Sequence, residues 1–208
     1  MNFGDMKTRV AKLIQDPSNT AVSAADVGSA INEAISYWKH KRFWFNEAED
    51  ATVSITAADP VIGDMPSDLL IPLAVGGIVI DYNDLRYPLQ KISTLEYDDM
   101  NTEATGVPCY YTIRAGSYEV YPYPDIAYTA VVRYLQDYTD LSGSSDTNDF
   151  TNNADRLIMY EAAGRLSGDF RQDAEMAARF YNMVSLEERR LMTRTHATNS
   201  TGRIVVYA

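Results

Sequence analysis

Apolar residues recur at helical spacing at both ends of the chain and at alternating spacing in its middle. Over residues 2–15, Phe3, Met6, Val10, Leu13 and Ile14 share one helix face, with Lys7, Arg9 and Lys12 off it. Asp16-Pro17-Ser18-Asn19 stops that helix. Ser23-Ala24-Ala25-Asp26 reads as a capping box with an acidic residue other than the usual Glu. It opens a second helix whose buried face is Val27, Ile31, Ala34, Ile35 and Trp38. Lys39, Lys41 and Arg42 fall in its last turn, where cations suit the dipole, before the cluster Phe43-Trp44-Phe45.

From Glu47 the period shortens. Thr52–Thr56 alternates like a strand, and Ala57–Pro60 is a turn. Residues 64–70 form a loop leading into Ile71–Ile80, which Pro72, Gly76 and Gly77 interrupt. Leu85–Leu89 is a short edge strand, and Ser93–Met100 a helical turn or two. Tyr110–Arg114 and Tyr118–Tyr121 form a hairpin around Ala115-Gly116-Ser117, with glycine where positive φ is needed. Pro122 and Pro124 break the pairing before a third strand, Ala127–Tyr134.

Helical spacing returns after the polar linker Leu141–Asn148. A helix over 152–168 carries Ile158, Ala162 and Leu166 on one stripe, with Met159 and Ala163 beside it. Another over 171–194 points Ala174, Ala177, Ala178, Tyr181, Val184 and Leu191 inward. Small residues at Ala162-Ala163-Gly164 and Ala177-Ala178 let the pair approach closely as an antiparallel hairpin. The predicted fold class is α+β. Two N-terminal and two C-terminal helices (1–45 and 150–194) form a four-helix bundle, since neither pair alone covers its apolar face. An antiparallel β domain with its linker (46–149) is inserted, and residues 195–208 form an extended C-terminal tail.

Charge sharpens this division. The chain of 208 residues has a net charge of −11. Residues 46–149 hold eighteen Asp/Glu against four Lys/Arg, whereas 150–194 hold seven of each. A basic nucleic-acid groove needs clustered Lys/Arg, so this balance argues against DNA binding and suits a surface that must not adhere to DNA. No run of about 18 apolar residues predicts a membrane span. The first residues lack the layout of a signal peptide, and a lone cysteine, Cys109, excludes an internal disulfide; a reduced intracellular setting is expected.

Candidate chemistry is sparse. Glu96 with Asp98-Asp99, and Asp81 with Asp84, read as a solvated acidic surface, because neighbouring loop carboxylates do not specify the separation a hydrolase needs. The Asp81–Asp84 and Asp137–Asp140 loops do not match the spacing of an EF-hand. His40 and His196 lie far apart, with no partner at metal-ligand spacing; His40 reads as a surface residue at a helix end. Cys109, with no histidine partner in view, reads as a small apolar filler. None of the phosphate-loop, dinucleotide, nucleophile-elbow or zincin motifs occurs. No catalytic, metal-binding or cofactor-binding residue is expected. Fifteen tyrosines are the composition's oddity, and seven lie between Tyr110 and Tyr134. Cross-strand packing and an interface are both open readings. The terminal Ile204-Val205-Val206-Tyr207 either caps the protein's own sheet or adds to a partner; the partner is favoured.

Six segments then carry a family likeness. They are the opening M-x-x-x-x-M-K-x-R-V-A-x-L-I, I-N-E-A-I-x-x-W…R-F-W-F-N-E at Ile31–Glu47, and P-S-D-L-L at Pro66–Leu70. The others are G-V-P-C-Y-Y-T-I at Gly106–Ile113, Y-P-Y-P-D at Tyr121–Asp125, and D-R-L-I-M-Y-E-A-A at Asp155–Ala163. Each is loose, but in this order the chain resembles the head-to-tail adaptors (connector or head-completion proteins) of tailed bacteriophages, most nearly the tail tubular protein A type of short-tailed phages. The resemblance implies no active site. It implies a virion protein at the head–tail junction, assembled in the host cytoplasm. Its ring, of about twelve copies, would sit under the portal. DNA would pass through without specific binding. Arg203, Ile204, Val205, Val206 and Tyr207 would grip the portal protein. Arg156, Arg165, Arg171 and Arg179 are subunit-interface candidates, and Tyr118, Tyr121 and Tyr123 candidates for a downstream tail nozzle or fibre protein. Two other readings stay open: a tail-associated module binding a fibre or glycan through the tyrosines, and a small acidic hydrolase.

Overall fold

In the computed structural model, which describes residues 1–74, 76–100 and 104–199, helix and strand segregate along the chain. The helices are α1 (Phe3–Leu13), α2 (Ala24–Trp38), α3 (Thr94–Asp98), α4 (Asp149–Asn153), α5 (Asp155–Asp169) and α6 (Ala174–Asn199). The strands are β1 (Glu47–Ile55), β2 (Leu69–Pro72), β3 (Ile78–Tyr82), β4 (Leu85–Pro88) and β5 (Gln90–Lys91), then β6 (Thr105–Gly106), β7 (Tyr110–Arg114), β8 (Ser117–Tyr121), β9 (Tyr123–Pro124) and β10 (Tyr128–Gln136). The fold is α+β. The chain divides into two compact units, one of residues 1–46 with 138–208, the other of residues 47–137.

In the helical unit, local signals fix the helix starts. Asn2 accepts the Asp5 amide at 2.8 Å, and Ser23 accepts the Asp26 amide at 3.1 Å. The loop between α1 and α2 wraps the Asp16 carboxylate, which accepts the amides of Thr20, Ala21 and Val22 at 2.8–2.9 Å. Those bonds, with the nearby Arg171 charge, hold its pKa below the usual carboxylate range. Phe3, Met6, Val10 and Ile14 of α1 and Val27, Ile31, Ala34, Ile35 and Trp38 of α2 are buried together with residues of α5 and α6. Helix α5 packs against α6, α2 and α1. Leu157, Ile158, Met159, Ala162, Ala163, Gly164 and Leu166 are all buried, so apolar residues surround most of its circumference. A ring cluster closes one end: Phe150 meets Phe43, Phe45 and Tyr138 edge-on with centroids 5.2–6.2 Å apart.

Helix α6 departs from the expected face. Ala177, Val184 and Leu191 are buried, but Ala174, Ala178 and Tyr181 are exposed and Phe180 is buried instead. The buried positions 177, 180, 184, 191 and 195 follow a single helical stripe, and alanines lying off it stay in solvent. The helix also runs to Asn199, so residues 195–199 are not part of an extended tail; Thr195 is buried and its hydroxyl bonds the Leu191 carbonyl at 2.9 Å. The segment from Tyr138 to Asn148 groups with the helices, not with the strands before it. Long-range bonds tie it there: Asn32 exchanges two hydrogen bonds with the Leu141 backbone, at 3.0 and 3.1 Å, and the Phe3 and Gly4 amides donate to the Asp146 and Ser144 carbonyls.

In the β unit, β10 is the middle strand. It pairs antiparallel with β1 on one side and with β2 and β3 on the other, and β4 continues the sheet beyond β3. Its run Ala130–Val132 is fully buried, as a strand covered on both faces requires. The β7–β8 hairpin forms as expected, but its turn is one residue shorter: Tyr110 lies opposite Tyr121 and Ser117 is already in the strand, opposite Arg114. Ala115 and Gly116 adopt φ of 48° and 85°, the left-handed pair of a two-residue turn. The hairpin does not pair with β10, however; it forms a second sheet with β5, and the β5–β7 and β6–β9 pairings are parallel. Val53, Ile55, Ile78, Ile80, Tyr111, Val120, Tyr128 and Val132 form this unit's core.

Candidate functional site

Three of the five acidic positions, Asp81, Glu96 and Asp98, are engaged in local structure. Glu96 caps α3 by accepting the Ser93 amide and hydroxyl at 2.8 and 2.9 Å, and Asp98 pairs with Arg114. Asp81 meets Arg86 at 3.2 Å. Among the described residues no group of three or more His, Cys, Asp or Glu could hold a metal ion. His40 and His196 are both exposed. Cys109 is exposed rather than filling the core, because its strand begins one residue later and its thiol faces the Val107 carbonyl, 3.5 Å away. No helix among the described residues is long and apolar enough to cross a membrane.

The four singled-out arginines do not converge. Arg165 is held between Glu161 at 2.9 Å and Glu33 at 3.5 Å, with its guanidinium 5.7 Å from the Tyr37 ring centre. Arg171 donates to the Ile14 carbonyl at 2.7 Å, tying the start of the α5–α6 turn to the end of α1. Both are committed to this chain's own packing. Arg156, with a side chain 60% exposed, reaches Glu187 only at 3.8 Å, and Arg179 is exposed. These two are the more exposed of the four.

The tyrosines follow the packing reading in part. Tyr118 stacks on Tyr111 with centroids 6.5 Å apart, and burial pushes both hydroxyls up in pKa. Tyr121 lies edge-on to Tyr97 at 6.3 Å. Tyr118, Tyr121 and Tyr123 are each half-buried, so each offers one edge rather than a full ring to a partner. Residues Arg203, Ile204, Val205, Val206 and Tyr207 lie outside the described residues.

One feature of the helical unit is invisible along the chain. Arg9, Lys12 and Leu13 of α1 meet Arg156, Met159 and Tyr160 of α5 around a cavity of about 510 Å³. Arg156 also borders a second cavity, of about 370 Å³, with Arg190 and Arg194 of α6. Only the pairing of α1 with α5 brings these cations together, across nearly 150 positions of sequence. A helical wheel shows Arg9 and Lys12 as ordinary outer-face charges.

The described residues thus present exposed charged side chains and half-buried tyrosines, and no cluster that could hold a metal ion. No curated protein matches the chain. The model of the SU10 adaptor protein family does, over residues 1–206, nearly the whole length and both compact units. The chain therefore belongs to the SU10 adaptor protein family and is a structural adaptor of the bacteriophage head-to-tail kind.

Proposed function

We propose that this protein forms a ring of about twelve copies beneath the portal of a tailed phage, extends the DNA channel and presents the platform on which the tail is built. The observation that carries this reading is the family match over residues 1–206. The helices would act as a four-helix bundle around the channel, and the β unit would meet the next tail protein. Charge supports passage without adhesion: the helical unit holds fourteen Lys/Arg and fourteen Asp/Glu, while the β unit holds four against fifteen. Neither unit carries a net positive charge that would hold a polyanion in place. The segment Arg203–Tyr207 would grip the portal protein. The free protein is then a monomer that closes into a ring only on the portal.

Light scattering and negative-stain microscopy test this on the purified chain, alone and mixed with its portal protein, as full length and truncated after Asn199. Portal-dependent rings that vanish with the truncation are expected. A stable ring formed without portal would overturn the monomer, and absence of any association with portal would overturn the adaptor placement.

A further inference from the structure

We propose that the cationic groove of α1 and α5 is the seat for the β3–β4 hairpin tip of a neighbouring copy of this chain. The inference rests on the ring reading, in which each copy must join its neighbour through two different surfaces.

The groove has one chemistry and the hairpin tip its complement. Arg9 and Lys12 are exposed and have no ion-pair partner among the described residues, and Arg156 has only the 3.8 Å approach of Glu187. The same groove is lined by the half-buried Leu13 and Tyr160 over the buried Met159. The groove therefore suits an acidic group next to an aliphatic one. The β3–β4 turn presents that pair. Asn83 and Asp84 adopt φ of 51° and 60°, the tight two-residue turn that sets Tyr82 opposite Leu85. Asp84 is exposed with no ion-pair partner among the described residues, and Leu85 is 58% exposed. Strand β4 is the edge of its sheet and all four of its residues are exposed.

Long-range charge points the same way. All of the net charge of −11 falls in residues 47–137, and the groove belongs to the neutral unit. A cationic groove on a strongly anionic chain attracts an acidic protein surface, and the same chain supplies one at the same concentration. DNA is the competing occupant, but the protein's overall charge repels it.

The test is a charge swap in the full chain, read as ring formation on the portal by light scattering. Arg156→Asp and Asp84→Arg should each weaken assembly by about tenfold or more, and the double variant should recover most of it. Both side chains are exposed, and because Asp84 holds a φ of 60° that Arg adopts less readily, circular dichroism checks that each variant keeps its fold. A Cys109→Ser chain carrying Arg156→Cys and Asp84→Cys should form covalent dimers and ladders on oxidation in the presence of portal. Wild-type rings that form equally with either single variant would overturn the contact while leaving the ring intact. A link within one chain, or loss of duplex-DNA binding by Arg156→Asp with assembly unchanged, would also overturn it. Wild-type protein that never assembles on the portal would remove the ring and this contact together.

Discussion

The two units solve the same burial problem with different materials. The helical unit buries Phe, Trp, Leu, Ile and Ala and carries as many cations as anions. The β unit buries Ile and Val among tyrosines and carries nearly four acids for each base. Tyrosine lets a thin sheet gain large apolar contact while its hydroxyl keeps a polar partner. Tyr134 donates to Asp68 at 2.9 Å and Tyr128 to Asp125. The β unit's stability is therefore coupled to protonation of its own core, and that of the helical unit is coupled mainly to shape.

The hardest way to break the comparison is to remove its aromatic keystone. Phe150→Ala empties a fully buried site bounded by Phe43, Phe45 and Tyr138. It should destabilise the helical unit by about 3–5 kcal/mol. Urea unfolding followed by tryptophan fluorescence reads this unit selectively, because Trp38 and Trp44 both lie in it. A much smaller loss would mean that the ring cluster is not what holds this end.

Alkaline titration sharpens the contrast next. Burial, then the hydrogen bond to Asp68, pushes the Tyr134 hydroxyl up to about 12; burial likewise raises Tyr97, Tyr111, Tyr118 and Tyr128. A raised folded pKa contributes stability that is intact below the unfolded value of about 10 and is lost as pH rises through the folded value. In the helical unit burial raises Tyr181. Above about pH 10 the β unit should therefore open first, with tyrosinate absorbance rising before tryptophan fluorescence changes. Simultaneous changes would show that the two units unfold as one.

Smaller effects test close approach and surface charge. A Cβ on Gly164 would sit 3.2 Å from the Tyr181 ring, so Gly164→Ala should cost about 1–2 kcal/mol in chemical denaturation. Tyr181 is 43% exposed and its ring can shift, which keeps the cost below that of a rigid clash. Arg133→Ala removes the 2.6 Å pair with Glu49 across the β1–β10 ladder. Both side chains are partly solvated, so the loss should stay near 0.2–1 kcal/mol and fade with added salt.

The legibility of the chain followed the range of the interactions. The stripes of α1 and α2, the Ser23 cap and the β7–β8 hairpin with its glycine turn depend on residues a few positions apart, and all could be read along the chain. The α6 face could be read only in part, since alanine is compatible with either side of a helix and Phe180 went unnoticed among more frequent small residues. The groove could not be read at all. Its cations come from α1 and α5, and nothing in either segment reports the other.

Local patterning by itself determined the main helices at both ends and the strands of the middle region, the concentration of acid in the middle of the chain, and the family likeness, but not the helical course of residues 195–199. It did so because caps, turns and amphipathic periods act over one or two turns of chain. Only the tertiary structure decided that α5 is packed against three other helices, that β10 joins β1, β2 and β3 rather than the neighbouring hairpin, that Arg165 and Arg171 serve this chain's own packing, and that Arg9, Lys12 and Arg156 face one cavity. Those outcomes depend on which apolar faces find each other across the chain, and burial is non-directional, so no local pattern encodes its partner.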